Sequence, residues 1–281
     1  MIAGFTILSV IIMVVEAIVW MLVSPAQYGN ITSLQQPSLV ILEMFAASGS
    51  ILAYVFVVWV FEQRRLRTAG FAAEKGGREL ALGLLIGASL MSVVIAVEAA
   101  TGVYRVHGFN THFGIGIWLM TFLLTAIFEE VSFRGCVLRV VGERWGTWTG
   151  LIVSSLIFGI VHMLNPTPGL TTWQHIAGPL FISLEAGLLM GSAYILTRKL
   201  WMPIGIHWAW NFFEGPVYGT GVSGIAAPSL FRAHIRGPFL LTGGSFGPEA
   251  GLPCLIICTL AAVALIRKTQ RLGRWDMTTQ D

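Results

Sequence analysis

The chain has 281 residues, 55% of them hydrophobic and only 11% charged, with a formal net charge of +3. Soluble domains carry about 25% charged residues, so this composition excludes an ordinary soluble enzyme and indicates a polytopic membrane protein. The small basic excess is distributed as a topology signal and gives no reason to expect nucleic acid as a partner.

A helix needs roughly 20 apolar residues to cross the hydrocarbon core. Eight segments qualify, at about 3–24, 38–61, 79–101, 113–137, 148–164, 173–197, 201–218 and 251–267. The first lacks a positive n-region, carries Glu16 inside its apolar run and is too long for a signal h-region, so it reads as a retained helix. No repeat or soluble domain interrupts the series. The expected architecture is an all-α transmembrane bundle of about eight spanning helices, a single integral-membrane domain over residues 1–281. With the N-terminus inside, 13 Lys and Arg fall in inner loops and the C-terminal tail, against Arg105, Arg232 and Arg236 outside. The positive-inside rule then places both termini in the cytoplasm.

Ionisable residues within spans are costly and are functional candidates by default. They are Glu16, Glu43, Glu98, Glu129, Glu130, His162, Glu185, His207 and Glu214. Glu16, Glu43 and Glu185 stand alone on their helices and read as packing residues, while Glu98 and Glu214 fall near outer ends within reach of water. Cys136, Cys254 and Cys258 are odd in number, lack metal-ligand spacing and read as small buried side chains.

The remaining residues group. Glu130 and Arg134 are spaced i, i+4 and share a helix face suited to an ion pair, whereas Glu129 points about 100° away. Phe158 and His162 share a face of the next helix, as do His207 and Asn211 two helices later. The stretch "GERWG" supplies a break. With Gly146 as its tip, Glu129 lies 17 residues before and His162 lies 16 after. In an antiparallel hairpin both reach about 25 Å above the tip. His207 matches that level if the tip projects beyond the membrane or if "RGCVLRVVGERW" folds along the interface.

"EEVSFRG", "FGIVH" and "HWAWN" together resemble the three motifs of the CPBP family, the CAAX proteases and bacteriocin-processing proteins, which includes the Ras-converting CAAX endopeptidase. The resemblance covers about residues 113–215, a protease core, and "GPVYGTGVSG" and "GPFLLTGGSFGPEAG" further on look like its bacterial branch. It implies an intramembrane endopeptidase of metallo- or glutamate type. There is no H-E-x-x-H and no catalytic-looking Cys beside a His, and the nucleophile is expected to be water.

The resemblance and the side-chain chemistry assign Glu129 as base, with His162 positioning the water and His207 and Asn211 binding the oxyanion. Glu130, held by Arg134, orients a histidine; Arg134 and Phe158 support the site from behind. Glu129, His162 and His207 also make a three-ligand zinc set, so the cofactor is either zinc or none. The expected partners are the bilayer and a peptide or membrane-protein substrate, and the expected location is a prokaryotic inner membrane. The competing readings are a non-catalytic scaffold or bacteriocin-immunity protein that uses the polar network to bind a partner, and a transporter.

Overall fold

A computed structural model describes residues 36–112, 114–165 and 167–278, together with Ile2, Gly4, Phe5 and Leu8. The rest of the expected first span, including Glu16, lies outside the described residues. Helix α1 (Gln36–Phe56) ends in a π-helical turn, Val57–Phe61, and α2 is Gly76–Ala100. Helix α3 (Ile115–Glu130) runs through a π-helical segment, Val131–Leu138, into α4 (Arg139–Trp145), and α5 is Thr147–His162. Helix α6 (Thr172–Ile182) passes through a second π-helical segment, Ser183–Gly187, into α7 (Leu188–Thr197). Helix α8 (Trp201–Phe212) likewise ends in a π-helical turn, Phe213–Val217.

Beyond α9 (Phe239–Thr242), α10 (Leu252–Arg271) is the last described helix. Strand β1 (Tyr104–Phe109) pairs antiparallel with β4 (Phe231–Ile235), and β2 (Gly221–Val222) with β3 (Ile225–Ala226). These loop strands were not expected from the sequence.

The fold is an all-α polytopic bundle. Five described stretches are long and apolar enough to cross a membrane: Glu43–Phe61, Gly76–Ala100, Ile115–Trp145, Thr172–Thr197 and Leu252–Arg271. Thr147–His162 is a shorter apolar helix. Leu85, Ile256 and Leu260 are exposed on the outer faces of α2 and α10, where lipid replaces water as the neighbour.

Two expectations need correction. Of the two courses open to "RGCVLRVVGERW", a separate segment along the interface is not the one taken, because the helical path from α3 continues to Trp145 before Gly146, at φ +92°, turns the chain. Arg134 therefore sits inside a helix and is fully buried. Nor do Glu98 and Glu214 reach water, since both are fully buried. The loops covering that end of the bundle account for this: Tyr218 donates to Ser92 on α2, and the Glu249 amide donates to Glu214 Oε1.

Glycine contacts set the spacing of the helices that carry the site. A Cβ on Gly83 of α2 would lie 2.3 Å from the Met202 carbonyl oxygen, and one on Gly87 2.2 Å from that of Ile206. Backbone therefore touches backbone where α2 crosses α8, as small residues permit between membrane helices. The α1 end is tied to α4 by a buried bidentate pair, with both Arg139 guanidinium nitrogens 2.7 Å from the Glu62 carboxylate. Tyr54 closes this corner, donating to the Ala69 carbonyl at 2.5 Å while accepting from Arg139 Nε at 3.0 Å.

Gly87→Ala is expected to lower unfolding stability by about 1–3 kcal/mol, since no side chain can move aside for the new methyl. Gly77→Ala, which has open space around it, should be neutral or stabilising by up to about 1 kcal/mol. Thermal or denaturant unfolding in detergent distinguishes the two.

Candidate active site

Three helices meet around one cavity. Glu129 and Glu130 are the last residues of α3, and the helix widens into its π-helical segment directly after them. Such widenings recur at functional sites because they turn side chains off the regular helical face. Within the segment, Arg134 donates from Nη1 to Glu130 Oε1 at 2.9 Å and from Nη2 to the Ala186 carbonyl at 3.1 Å. Neither member of the Arg134–Glu130 pair is exposed at all. The guanidinium lies over the Phe158 ring, 4.4 Å from its centroid, a cation–π contact in a desolvated setting.

The same Glu130 oxygen is 2.9 Å from His207 Nδ1. A carboxylate already paired with arginine accepts, so Nδ1 carries the hydrogen and Nε2 is left for other work. Nε2 lies 3.6 Å from Glu129 Oε2. His162 shows the same logic: Nδ1 donates to the Phe158 carbonyl at 2.7 Å, because a carbonyl can only accept, and Nε2 is again free. The Phe158 ring packs against both imidazoles, at centroid distances of 4.6 and 6.3 Å. Asn211 lies one turn beyond His207 and is buried.

Glu129, Phe158, His162, His207 and Asn211 all line one cavity of about 200 Å³. Glu130 and Arg134 stand behind its wall. Among the other lining residues, Glu43 of α1 was read as a packing residue, and Ser223 and Glu249 of the loops after α8 were not among the sequence candidates. Glu43 carried a signal, as a carboxylate alone in an apolar run. Glu249 carried only its place in "GPFLLTGGSFGPEAG", since a loop glutamate is ordinarily solvated.

Zinc was a candidate for Glu129, His162 and His207. Each imidazole keeps an Nε2 near the cavity, which is suitable donor chemistry. Their ligand atoms, however, do not gather as a trio. Among the described residues the three ligand atoms that lie within 4.8 Å of one another belong to Glu185, Cys254 and Cys258, buried between the α6–α7 junction and α10. The donor types fit a metal; the spacing is not that of a preformed metal site.

Residues 111–213 match the family model of the type II CAAX prenyl endopeptidase Rce1-like proteins. This segment, little more than a third of the chain, is similar to the CAAX endopeptidase family. That family is a protease family, and the matched CAAX endopeptidase segment contains "EEVSFRG", "FGIVH" and "HWAWN" in full. Glu43, Ser223 and Glu249 lie outside it. Neither a curated protein nor a solved structure matches the chain.

Arg134→Met leaves Glu130 as an uncompensated buried charge and should cost about 3–5 kcal/mol in unfolding stability. The double variant Glu130→Gln with Arg134→Met should recover part of that loss. A double-mutant cycle on purified protein measures the coupling.

Proposed function

We propose that the protein is an intramembrane endopeptidase that hydrolyses a peptide bond of a membrane-associated protein or peptide with water activated by Glu129. The observation that carries this reading is the division of labour between two adjacent carboxylates. Glu130 is held by Arg134 and His207, whereas Glu129 lines the cavity, 3.6 Å from His207 Nε2. A helix-fastening network has no use for the second carboxylate.

Hydrolysis proceeds through a tetrahedral intermediate. Glu129 takes a proton from water, and His162 Nε2 helps to position that water against the carbonyl carbon. The oxyanion then needs hydrogen-bond donors at the moment it forms. The Asn211 amide supplies one, and His207 supplies a second from Nε2 when it carries a proton there. Glu130 fixes the His207 ring through Nδ1 and so aims Nε2, and Arg134 fixes Glu130. Phe158 packs both rings.

Were zinc to bind, Glu129, His162 and His207 would hold it, and it would polarise the carbonyl and acidify the water. The spacing of these three residues supports the metal-free course. The proposed setting is the inner membrane of a prokaryote with both termini cytoplasmic, consistent with the distribution of Lys and Arg. The scaffold reading makes the opposite prediction for a single carboxylate substitution.

Wild type and Glu129→Gln, purified in nanodiscs, would be compared on quenched membrane-segment peptides with and without an S-prenylated cysteine. Cleavage by wild type and a fall of about 100-fold or more in Glu129→Gln are expected. Equal behaviour of the two folded proteins sinks the protease reading. Bound zinc, measured on the same samples, is expected to be substoichiometric, with activity retained after chelation. Loss of activity on chelation, restored by zinc, would overturn the metal-free course.

A further inference from the structure

The stretch "GGSFGPEAG", residues 243–251, is folded into the bundle and does not lie over it. Phe246 is fully buried and stacks on His175 of α6, with ring centroids 6.1 Å apart. Gly247 sits at φ +114°, where a Cβ would lie 2.0 Å from the Gly221 carbonyl oxygen. Only glycine fits there. This tight return leads into a short 3₁₀ turn, Pro248–Ala250, and then into α10.

What the return delivers is Glu249. Its side chain is buried and lines the same cavity as Glu129, His162 and His207. Oε1 accepts from Ser223 Oγ at 2.6 Å, and the Glu249 amide donates to Glu214 Oε1 at 3.3 Å. Ser223 also lines the cavity, so the pair forms a second polar wall, assembled from residues outside the matched family segment. Ser223 stands at φ +49° in the β2–β3 turn, a backbone conformation unusual for a residue with a side chain.

We propose that Glu249 is a further catalytic residue, giving its proton to the amide nitrogen as the scissile bond breaks. This rests on the endopeptidase reading above. Water loses a proton to Glu129 and adds to the carbonyl carbon; the C–N bond then breaks as the Glu249 proton moves to nitrogen. The products are a carboxylic acid and an amine, and the proton held by Glu129 returns to Glu249 through solvent. No further reactant is required. Ser223 aims the carboxyl group, and Glu214 anchors its backbone.

The surroundings suit an acid. Burial pushes the Glu249 carboxyl above the usual carboxylate range, while His162, Ser223 and His207 act in the opposite direction and Glu129 adds to the rise. Glu214, on the neighbouring π-helical turn, is the other carboxyl packed against it. A group shifted upward holds its proton to higher pH and loses it on the alkaline side. The acid limb of catalysis is therefore the alkaline limb of the rate profile.

The test compares wild type, Glu249→Gln and Ser223→Ala on an amide substrate that the wild type cleaves and on the matching activated ester. The ester's leaving group departs without a proton. Glu249→Gln is expected to lower kcat on the amide by about 100-fold with KM within about 3-fold, and to lose the alkaline limb. On the ester it should stay within about 3-fold of wild type. Ser223→Ala should reduce amide turnover by a smaller factor and shift the same limb.

Equal losses on amide and ester in Glu249→Gln would show a structural role only and overturn the proposal. Wild-type amide rates in that variant would also overturn it, while leaving the endopeptidase reading intact. If the wild type cleaves no peptide, both fall. Should Glu249→Gln not fold, Glu249→Asp carries the same amide-to-ester comparison.

Discussion

One buried ion pair constrains everything around it. Arg134 and Glu130 have no contact with solvent, and an unpaired charge at that depth costs several kcal/mol. Each must keep the other, and the pair must also find further partners. Arg134 finds the Ala186 carbonyl and the Phe158 ring, which tie α3 to the α6–α7 junction and to α5. Glu130 finds His207 Nδ1, which ties α3 to α8. The pair thus joins four helical elements and sets the tautomer of the histidine that faces the cavity. Replacing it by apolar side chains could keep the packing, but not the direction of His207.

That direction also depends on where α8 lies. The contact of α2 with α8 is backbone on backbone at Gly83 and Gly87, so the position of α8 is fixed by covalent geometry more than by rotamers. The π-helical segments have a complementary effect. Three helices widen beside the cavity, at Val131–Leu138, Ser183–Gly187 and Phe213–Val217. They bring Arg134, the Ala186 carbonyl and Glu214 to positions that a regular helix would not offer. Rigid spacing from glycine and re-aimed side chains from widened turns together hold the polar groups in an apolar bundle.

How much of this was legible in the sequence depended on whether the signal was local. The i, i+4 pairing of Glu130 with Arg134 is a property of any helix, and the Gly146 break lets α3 and α5 form a hairpin. The proximity of Glu129 and His162 to one cavity follows from counting residues. The course of Val131–Leu138 did not follow, because a π-helical segment leaves no mark in hydropathy, and the sequence was divided where the helix in fact continues. Glu98, Glu214 and Glu249 were misplaced or missed for a related reason. Their burial is decided by loops that fold inward, and loop paths are set by contacts distant in sequence, such as Phe246 on His175. Glu43 and Glu185 looked alike as isolated carboxylates, yet one lines the cavity and the other lies beside Cys254 and Cys258. Helix rotation separates them, and a weakly amphipathic apolar run does not encode it strongly.

The return loop between α9 and α10 also bears on the order in which the molecule is made. A ribosome delivers Glu129, Glu130, His162 and His207 well before residues 243–251, and each helix enters the bilayer in turn. Until Phe246 and Glu249 have been synthesised and have folded back, one wall of the cavity is missing and the polar groups there are open to water. The site is completed late, by a segment just before the last described helix. The cavity thereby reaches its closed, water-restricted form only after residues 243–251 have folded back against the helices that precede them.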